Sequence, residues 1–453
     1  MPANTEKADL SFANGRDLAW RIMRAALRAV DPYEAVKNAL RLDGDSLSVG
    51  RQSYDLRLFK RVLVVGAGKA SAPMARAVEE LLGERIGAGL VNVKYGYTDD
   101  VSRITLREAA HPIPDDAGLD GTREIVRLLE DATEEDLVLC LISGGGSALM
   151  MLPEEPIGLS EYQALTNALL RSGATINQIN TIRKHIERVK GGRLAQAAAP
   201  ATVATLILSD VVGNPLDFIA SGPTVPDTTT FHDALDVLRQ FELLDAVPAV
   251  VRDWLERGAR GEAPETPKPG DPLFERVSTL VIGSNDIAAE AALAEARTLG
   301  FNAQVLTTFL EGEAREIAKV GAALAKELVR RGQPAAPPAC LILGGETTVT
   351  VRGQGKGGRN QEIALASALA LAGVERALIV ALATDGSDGP TDAAGGFADA
   401  GSLERAAAAG VDVRDALARN DSHAALGAMG DLLVTGPTNT NVNDLLFIFA
   451  FPS

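Results

Sequence analysis

The stretch RVLVVGAGKASAPMARAVEELL (61–82) decides the fold class. Its first five residues, RVLVV (61–65), form a short apolar run with the length and β-branched content of a buried strand. GAGKAS (66–71) supplies a glycine turn, and the spacing that follows predicts a helix through about Leu82. The same grammar recurs along the chain. VLCLI (138–142) runs into SGGGSA, TLIL (205–208) into SDVVGNP and LVI (280–282) into GSND, and CLIL (340–343) runs into GGE and LIVALA (378–383) into TDGSDG. Short apolar strands alternating with helical stretches predict α/β sheets with parallel strands. In open sheets of this kind, ligands bind beyond the carboxyl ends of the strands. Here six such ends carry Gly, Ser, Thr, Asp or Asn, residues that let backbone N–H groups and helix N-termini approach an anion. One such end is an ordinary turn. Six together predict a ligand site.

The chain has 453 residues, enough for two or three domains at roughly 150 residues each. GARGEAPETPKPGDP (258–272) is rich in Gly, Pro and Glu and is the expected surface connection between two α/β domains, 1–257 and 273–453. RRGQPAAPPA (330–339) reads as a loop inside the second. Residues 16–41 carry Leu18, Ile22, Ala25 and Leu27 at helical spacing, on a segment that could pack against either domain.

Net charge is −16 and aromatics are 4%, an acidic chain with few stacking rings, which argues against a general nucleic-acid binder. Any anion site must therefore be built locally. Five cationic residues against one acid lie between 183 and 193, and three against one between 352 and 362. Cys140 and Cys340 sit in apolar runs and read as core strand thiols, not as a disulfide or a metal site. The N-terminal stretch MPANTEKADLSFANGRDLAW has no apolar leader segment, and no window holds ~18 uninterrupted apolar residues, so no membrane span and a cytoplasmic location are expected.

Gly66 and Gly68 form a dinucleotide-like turn with Ser71 in place of a third glycine. The next strand, GLVNVKY (89–95), ends near Lys94 instead of the acid that would hold a ribose, which speaks against NAD. Lys69, a cation inside a glycine turn, predicts a bound anion. SGGGSAL places Ser143, Gly144, Gly145, Gly146 and Ser147 where successive N–H groups can form an anion nest. INQINTIRKHIERVKGGRLA (176–195) reads as a helix with cations at its end. Lys190, Gly191, Gly192 and Arg193 exceed a normal helix end and are candidate phosphate contacts, while His185 reads as structural. SDVVGNPLDFIASGPTVPD (209–227) offers Asp210 and Asp217 as carboxylates for Mg²⁺ or a substrate hydroxyl, with Ser221 and Gly222 in a tight turn. GQGKGGRNQE (353–362) brings Lys356, Gly357, Gly358, Arg359 and Asn360 before a helix, and Glu346 follows the GG of the preceding strand. A planar guanidinium in such a turn suits bidentate phosphate binding. TDGSDGPTDAAGG (384–396) adds Asp385, Asp388 and Asp392, of which one or two could reach Mg²⁺ or a ribose. The phosphate-loop spacing G-x-x-x-x-G-K-[ST], protein-kinase signatures, a G-x-S-x-G elbow and a His/Cys zinc cluster are all absent from the sequence.

Taken in order, GAGKAS, EAAHPIPD (108–115), SGGGSAL, KGGRLA, SDVVGNPLDFIASGPTVPD, GGETTVTVRGQGKGGRNQE, TDGSDGPTD and TGPTNTNVNDL (435–445) resemble the class II glycerate kinases, the family with a C-terminal MOFRL domain. The likeness runs from about residue 15 to the C-terminus. It implies two three-layer α/β/α domains, the first Rossmann-like with a mostly parallel sheet and the second with a mixed sheet, and a site in the cleft between them. It implies an ATP- and Mg²⁺-dependent glycerate 2-kinase making 2-phosphoglycerate from D-glycerate, acting as a monomer or homodimer. Lys69 matches the Lys of the family's GKA motif and Arg359 the Arg of GGRNQE. The family loop commonly reads S-D-V-x-G-D, and Asn214 stands here where its last Asp would be. A metal or base role therefore falls to Asp210 or Asp217, with Asp385 a further metal candidate. In the expected mechanism the glycerate carboxylate sits near SGGGS and Lys69, and the C2 hydroxyl faces the γ-phosphate. Lys69 and Arg359 stabilise the transferring group, with ATP on the first domain. Two rivals are an NAD(P)H-dependent hydroxypyruvate reductase and a non-catalytic sugar-acid or nucleotide sensor.

Overall fold

All six apolar runs become strands, and they divide between two sheets at a point the composition does not mark. The protein was analysed as a computed structural model that describes residues 9–453. Residues 1–8, the start of the N-terminal stretch read above, lie outside the described residues. The chain forms two units, one of residues 32–282 and one that combines residues up to 31 with residues 283–453.

The first unit holds a six-stranded sheet ordered Thr105–Ala109, Ile86–Lys94, Arg61–Ala67, Asp136–Ile142, Thr202–Leu208, Val277–Gly283. Counted in chain order within this sheet, the strands run 3-2-1-4-5-6. The first five are parallel to their neighbours, with Arg61 opposite Asp136 and Ala67 opposite Ile142. All seven residues of Asp136–Ile142 are buried, the pattern of a strand covered by helices on both faces. Cys140 lies in this core, and burial pushes its thiol up to about 12. A small antiparallel sheet, Leu40–Asp43, Ser46–Val49 and Gln52–Asp55, precedes the large one.

The boundary expected at 258–272 falls elsewhere. The helix Ala249–Ala259 runs into this segment, and the remainder is fastened to the first unit. Asp227 N donates to Pro267 O (2.9 Å), Thr266 Oγ1 donates to the buried Asp227 carboxylate (3.0 Å), and Arg193 donates to Pro264 O (2.8 Å). Val277–Gly283, read above as the opening strand of the second domain, is the edge strand of the first sheet instead. Composition misleads here because the anchoring atoms are carbonyls and a hydroxyl, which a Pro- and Gly-rich segment supplies as well as any other.

The second unit holds a mixed sheet ordered Asn302–Leu310, Ala339–Gly345, Asp444–Ala450, Ala377–Ala383, Gly395–Asp399, Leu432–Leu433. The last long strand, Asp444–Ala450, lies between two strands that both run against it. Asp444 thus sits opposite Gly345 on one side and Ala383 on the other. The helical spacing at 16–41 resolves into two helices, Gly15–Ala29 and Pro32–Ala39, because a residue before proline is kept out of the helical region. The first belongs to the second unit, where Arg16 pairs with Asp399 (2.9 Å) and Asp431 (2.5 Å). Both the parallel and the mixed α/β sheet expected from the sequence are present. Among the described residues, no helix is long and apolar enough to cross a membrane.

Candidate active site

In the 3-2-1-4-5-6 order, the adjacent strands Arg61–Ala67 and Asp136–Ile142 are where the winding reverses, the point at which open α/β sheets bind ligands. The turns after these two strands interlock. Ser143 N donates to Ala67 O (3.1 Å), Lys69 N to Gly144 O (2.9 Å) and Ala70 N to Ser143 Oγ (3.0 Å), while Ser71 Oγ lies 2.9 Å from Ser143 Oγ. Gly68 N donates to Asn92 O (3.1 Å). The amides of residues 68–70 are therefore consumed inside the protein, and Gly66 and Gly68 do not cradle a phosphate as the sequence suggested. They are small because a Cβ would stand 2.1 Å from Leu141 O at Gly66 and 2.0 Å from Ser143 Oγ at Gly68.

The interlock leaves the second turn open. Among the described residues, the N–H groups of Gly144 and Gly145 have no acceptor. Gly145 has φ +85°, and a Cβ there would lie 3.0 Å from His111 Nε2 and 3.2 Å from Lys69 Cε. At Gly144 a Cβ would lie 2.3 Å from Asp210 Oδ2. Three side chains of different chemistry therefore meet one glycine turn. Lys69 is half-buried and has no ion pair among the described residues. His111 is held neutral, lowered to about 4, first by burial and then by the Lys69 and Lys94 cations.

His111 was quoted above within HPIPD but not singled out. It follows the strand Thr105–Ala109, whose residues are mostly exposed and carry no apolar run, so no sequence signal marks the end of a strand there.

Several predicted contacts brace this site from behind instead of facing a ligand. Lys190 is fully buried. Its ammonium donates to Ser147 O (2.9 Å) and Met150 O (3.0 Å) and pairs with Glu187 (3.1 Å), which also accepts from Tyr162 (2.5 Å). Gly191 N donates to Ser221 O (3.0 Å) and Gly192 N to Gly222 O (2.7 Å). Arg193 pairs with Glu154 (2.9 Å). Ser221 Oγ donates to Asn180 (2.9 Å) and lies 3.1 Å from Ser147 Oγ, which leaves both hydroxyls engaged. Gly146 opens the short helix Gly146–Leu149 and packs on Ala220. Asp217 lies 3.6 Å from the Lys184 ammonium.

In the second unit, Arg359 begins the helix Arg359–Ala370 and is gripped by Glu346 (2.6 Å) and Asp444 (2.5 Å). Burial works against its charge, but the two carboxylates hold it more firmly protonated than a free arginine. Burial pushes the Asp444 carboxyl up to about 7. The N-terminal amides of that helix are already capped. The buried Asp388 accepts from Asn360 N (3.2 Å) and Gln361 N (2.7 Å), so Asn360 is structural. Gly357 and Gly358 pack against Ser422 and Asp388, and the exposed Lys356 is fixed through its backbone, which donates to Asp421 (3.2 Å). Asp385 accepts from Ser387 N (3.0 Å). Among the described residues, no group of three His, Cys, Asp or Glu side chains is placed to hold a metal, and Asp210, Asp217 and Asp385 form no cluster.

Comparison with known proteins gives this arrangement a family. Residues 18–256 match a domain of unknown function (DUF4147), and residues 339–444 match the MOFRL family. The chain is 46% identical to the glycerate 2-kinase of Pyrococcus horikoshii, over 95% of this chain and 96% of that protein. It belongs to the class II glycerate kinases. A second glycerate kinase, the D-glycerate 2-kinase of Thermotoga maritima, is 43% identical over 95% of this chain and 97% of that protein. The crystal structure of the Thermotoga maritima glycerate kinase superposes with a TM-score of 0.87 at 42% identity, covering 97% of this chain and all of the other. Within this glycerate kinase, the interlocked turns at the winding reversal lie in the DUF4147 part, and the Arg359–Asp444 pair lies in the MOFRL part.

Proposed function

We propose that this glycerate kinase transfers the γ-phosphate of ATP to the C2 hydroxyl of D-glycerate, giving 2-phosphoglycerate and ADP. The observation that carries the reading is the Lys69 ammonium beside two glycine amides, none of them with a partner among the described residues, with the Asp210 carboxylate against the same turn. The amides of Gly144 and Gly145 and the Lys69 charge receive the glycerate carboxylate. Asp210 is the carboxylate at this turn for the C2 hydroxyl proton or for the Mg²⁺ that enters with ATP. Mg²⁺ entering with ATP would need only one or two protein carboxylates, which Asp210 could supply. Its role is to neutralise phosphate charge. In the second unit, Arg359, held by Glu346 and Asp444, is the candidate cation for phosphate charge. Phosphoryl transfer asks mainly for positioning and charge stabilisation, and a fixed cation with fixed amides supplies both.

The first βα turn supports this reading over a reductase. A dinucleotide would need the amides of residues 68–70 for its pyrophosphate, and these are spent on Asn92, Gly144 and Ser143. The strand that would present an acid to the ribose ends in Lys94. Incubation with ATP, Mg²⁺ and D-glycerate, with the product passed to enolase, tests the proposal. Enolase consumes 2-phosphoglycerate directly, so immediate phosphoenolpyruvate is expected. Product that reaches phosphoenolpyruvate only after a mutase is added would move the transfer to C3. Oxidation of NADPH by hydroxypyruvate would favour the reductase.

A further inference from the structure

His111 stands in the same site with no task assigned to it. Its loop is anchored at both ends. Asp115 accepts from Ala110 N (3.2 Å) and Gly118 N (3.0 Å), its other oxygen accepts from Tyr95 (2.8 Å), and Pro114 O accepts from Gln163 (2.7 Å). The imidazole is thereby held half-buried over Gly145, on the glycine that Lys69 also covers. Among the described residues, neither ring nitrogen has a hydrogen-bond partner. A neutral imidazole carries one N–H donor and one lone pair, and its Nε2, 3.0 Å from where a Gly145 Cβ would stand, is a directional group left unanswered at this turn.

We propose that His111 determines specificity by hydrogen-bonding the C3 hydroxyl of glycerate while Lys69 and the Gly144–Gly145 amides hold the carboxylate. This rests on the function proposed above. The choice of hydroxyl follows from the chemistry on either side. Asp210 lies against the same turn, and the C2 hydroxyl must give up its proton as it is phosphorylated. An imidazole that two neighbouring cations and burial hold far below its ordinary value is a poor base, yet it remains a good partner for a hydroxyl that keeps its proton. A site built to bond a hydroxyl rejects the analogue that lacks it, because its own polar group is then left unpaired. The ligand rejected on this basis is the 3-deoxy acid, D-lactate.

The test compares wild type with H111A and H111Q on D-glycerate and D-lactate, both by turnover with MgATP and by equilibrium titration. For H111A, the expected result is a rise of about tenfold or more in KM and Kd for D-glycerate. KM for ATP should stay within twofold and the Kd for D-lactate should not change. H111Q, whose amide keeps a donor and an acceptor, is expected to recover part of the loss. An equal loss on both acids, or no loss on D-glycerate, overturns the assignment. If the wild type turns over no glycerate, the kinase reading fails instead, and the titrations still decide the hydroxyl contact. If H111A does not fold, H111N carries the same comparison.

Discussion

Lys69 and Arg359 look alike in the sequence, each a cation among glycines before a helix, but their surroundings separate them. Lys69 has no ion pair to lose among the described residues, so Lys69→Ala is expected to lower kcat/KM by on the order of 10²-fold or more with little change in Tm. Arg359→Ala strands the buried Asp444 and is expected to cost stability as well, about 3 kcal/mol or more in denaturant unfolding. Asp444 also predicts a pH dependence. Its folded value near 7 lies above that of an unfolded aspartate, so the folded state holds the proton more tightly. That contribution to stability is fully present below about pH 4 and is lost as pH rises through 7, with a slope of at most about 1.4 kcal/mol per pH unit. Asp444→Asn should flatten this part of the stability profile, which unfolding measured from pH 4 to 8 would detect. Lys69 stands out in the sequence because a charge inside a glycine turn has little structural reason to be there, and the structure places it against Gly145. Lys190 was misread because its partners are Glu187 and two backbone carbonyls that only folding brings to it.

The deciding element is the Ser143–Ser147 turn, whose shape depends on the turn beside it. Gly145 combines a left-handed φ of +85° with side chains on the spot where a Cβ would grow. Gly145→Ala is expected to cost roughly 1–2 kcal/mol in backbone strain and to abolish most activity by pushing His111 and Lys69 apart. Near-normal turnover in a folded Gly145→Ala protein would mean that this turn does not form the site. The strand-then-glycine pattern was readable at this scale because a parallel strand is apolar throughout. The cationic run from 183 to 193 was not, since Lys184 meets Asp227 (3.3 Å), Lys190 meets Glu187 and Arg193 meets Glu154. Local charge counts miss partners such as Asp227 and Glu154 that are distant in sequence, and a positive stretch here marks a buried ion-paired layer.

For the whole molecule, the sequence indicated two α/β sheets and the structure moved the division between them. A cut after residue 257 would remove Val277–Gly283 from the first sheet and would take Glu265 from His185 and Thr266 from the buried Asp227. A fragment of residues 32–282 is therefore expected to unfold cooperatively, whereas one of residues 1–257 should melt markedly lower or bind a hydrophobic dye, as circular dichroism and dye binding would report. Against the −16 net charge, the turn at Lys69 gathers in a small space one cation and two amides that have no partner among the described residues, which is the local positive potential the proposed anionic substrate requires. The return of helix Gly15–Ala29 to the second unit bears on how the protein is made. This helix precedes the strands of its sheet in the chain, and that sheet lacks a central strand until Asp444–Ala450 leaves the ribosome. At roughly 5–20 residues per second, its apolar face waits about 20 seconds to a minute and a half while the residues between it and that strand emerge. Truncation before Asp444 is therefore expected to leave this helix with a sheet that has lost its central strand.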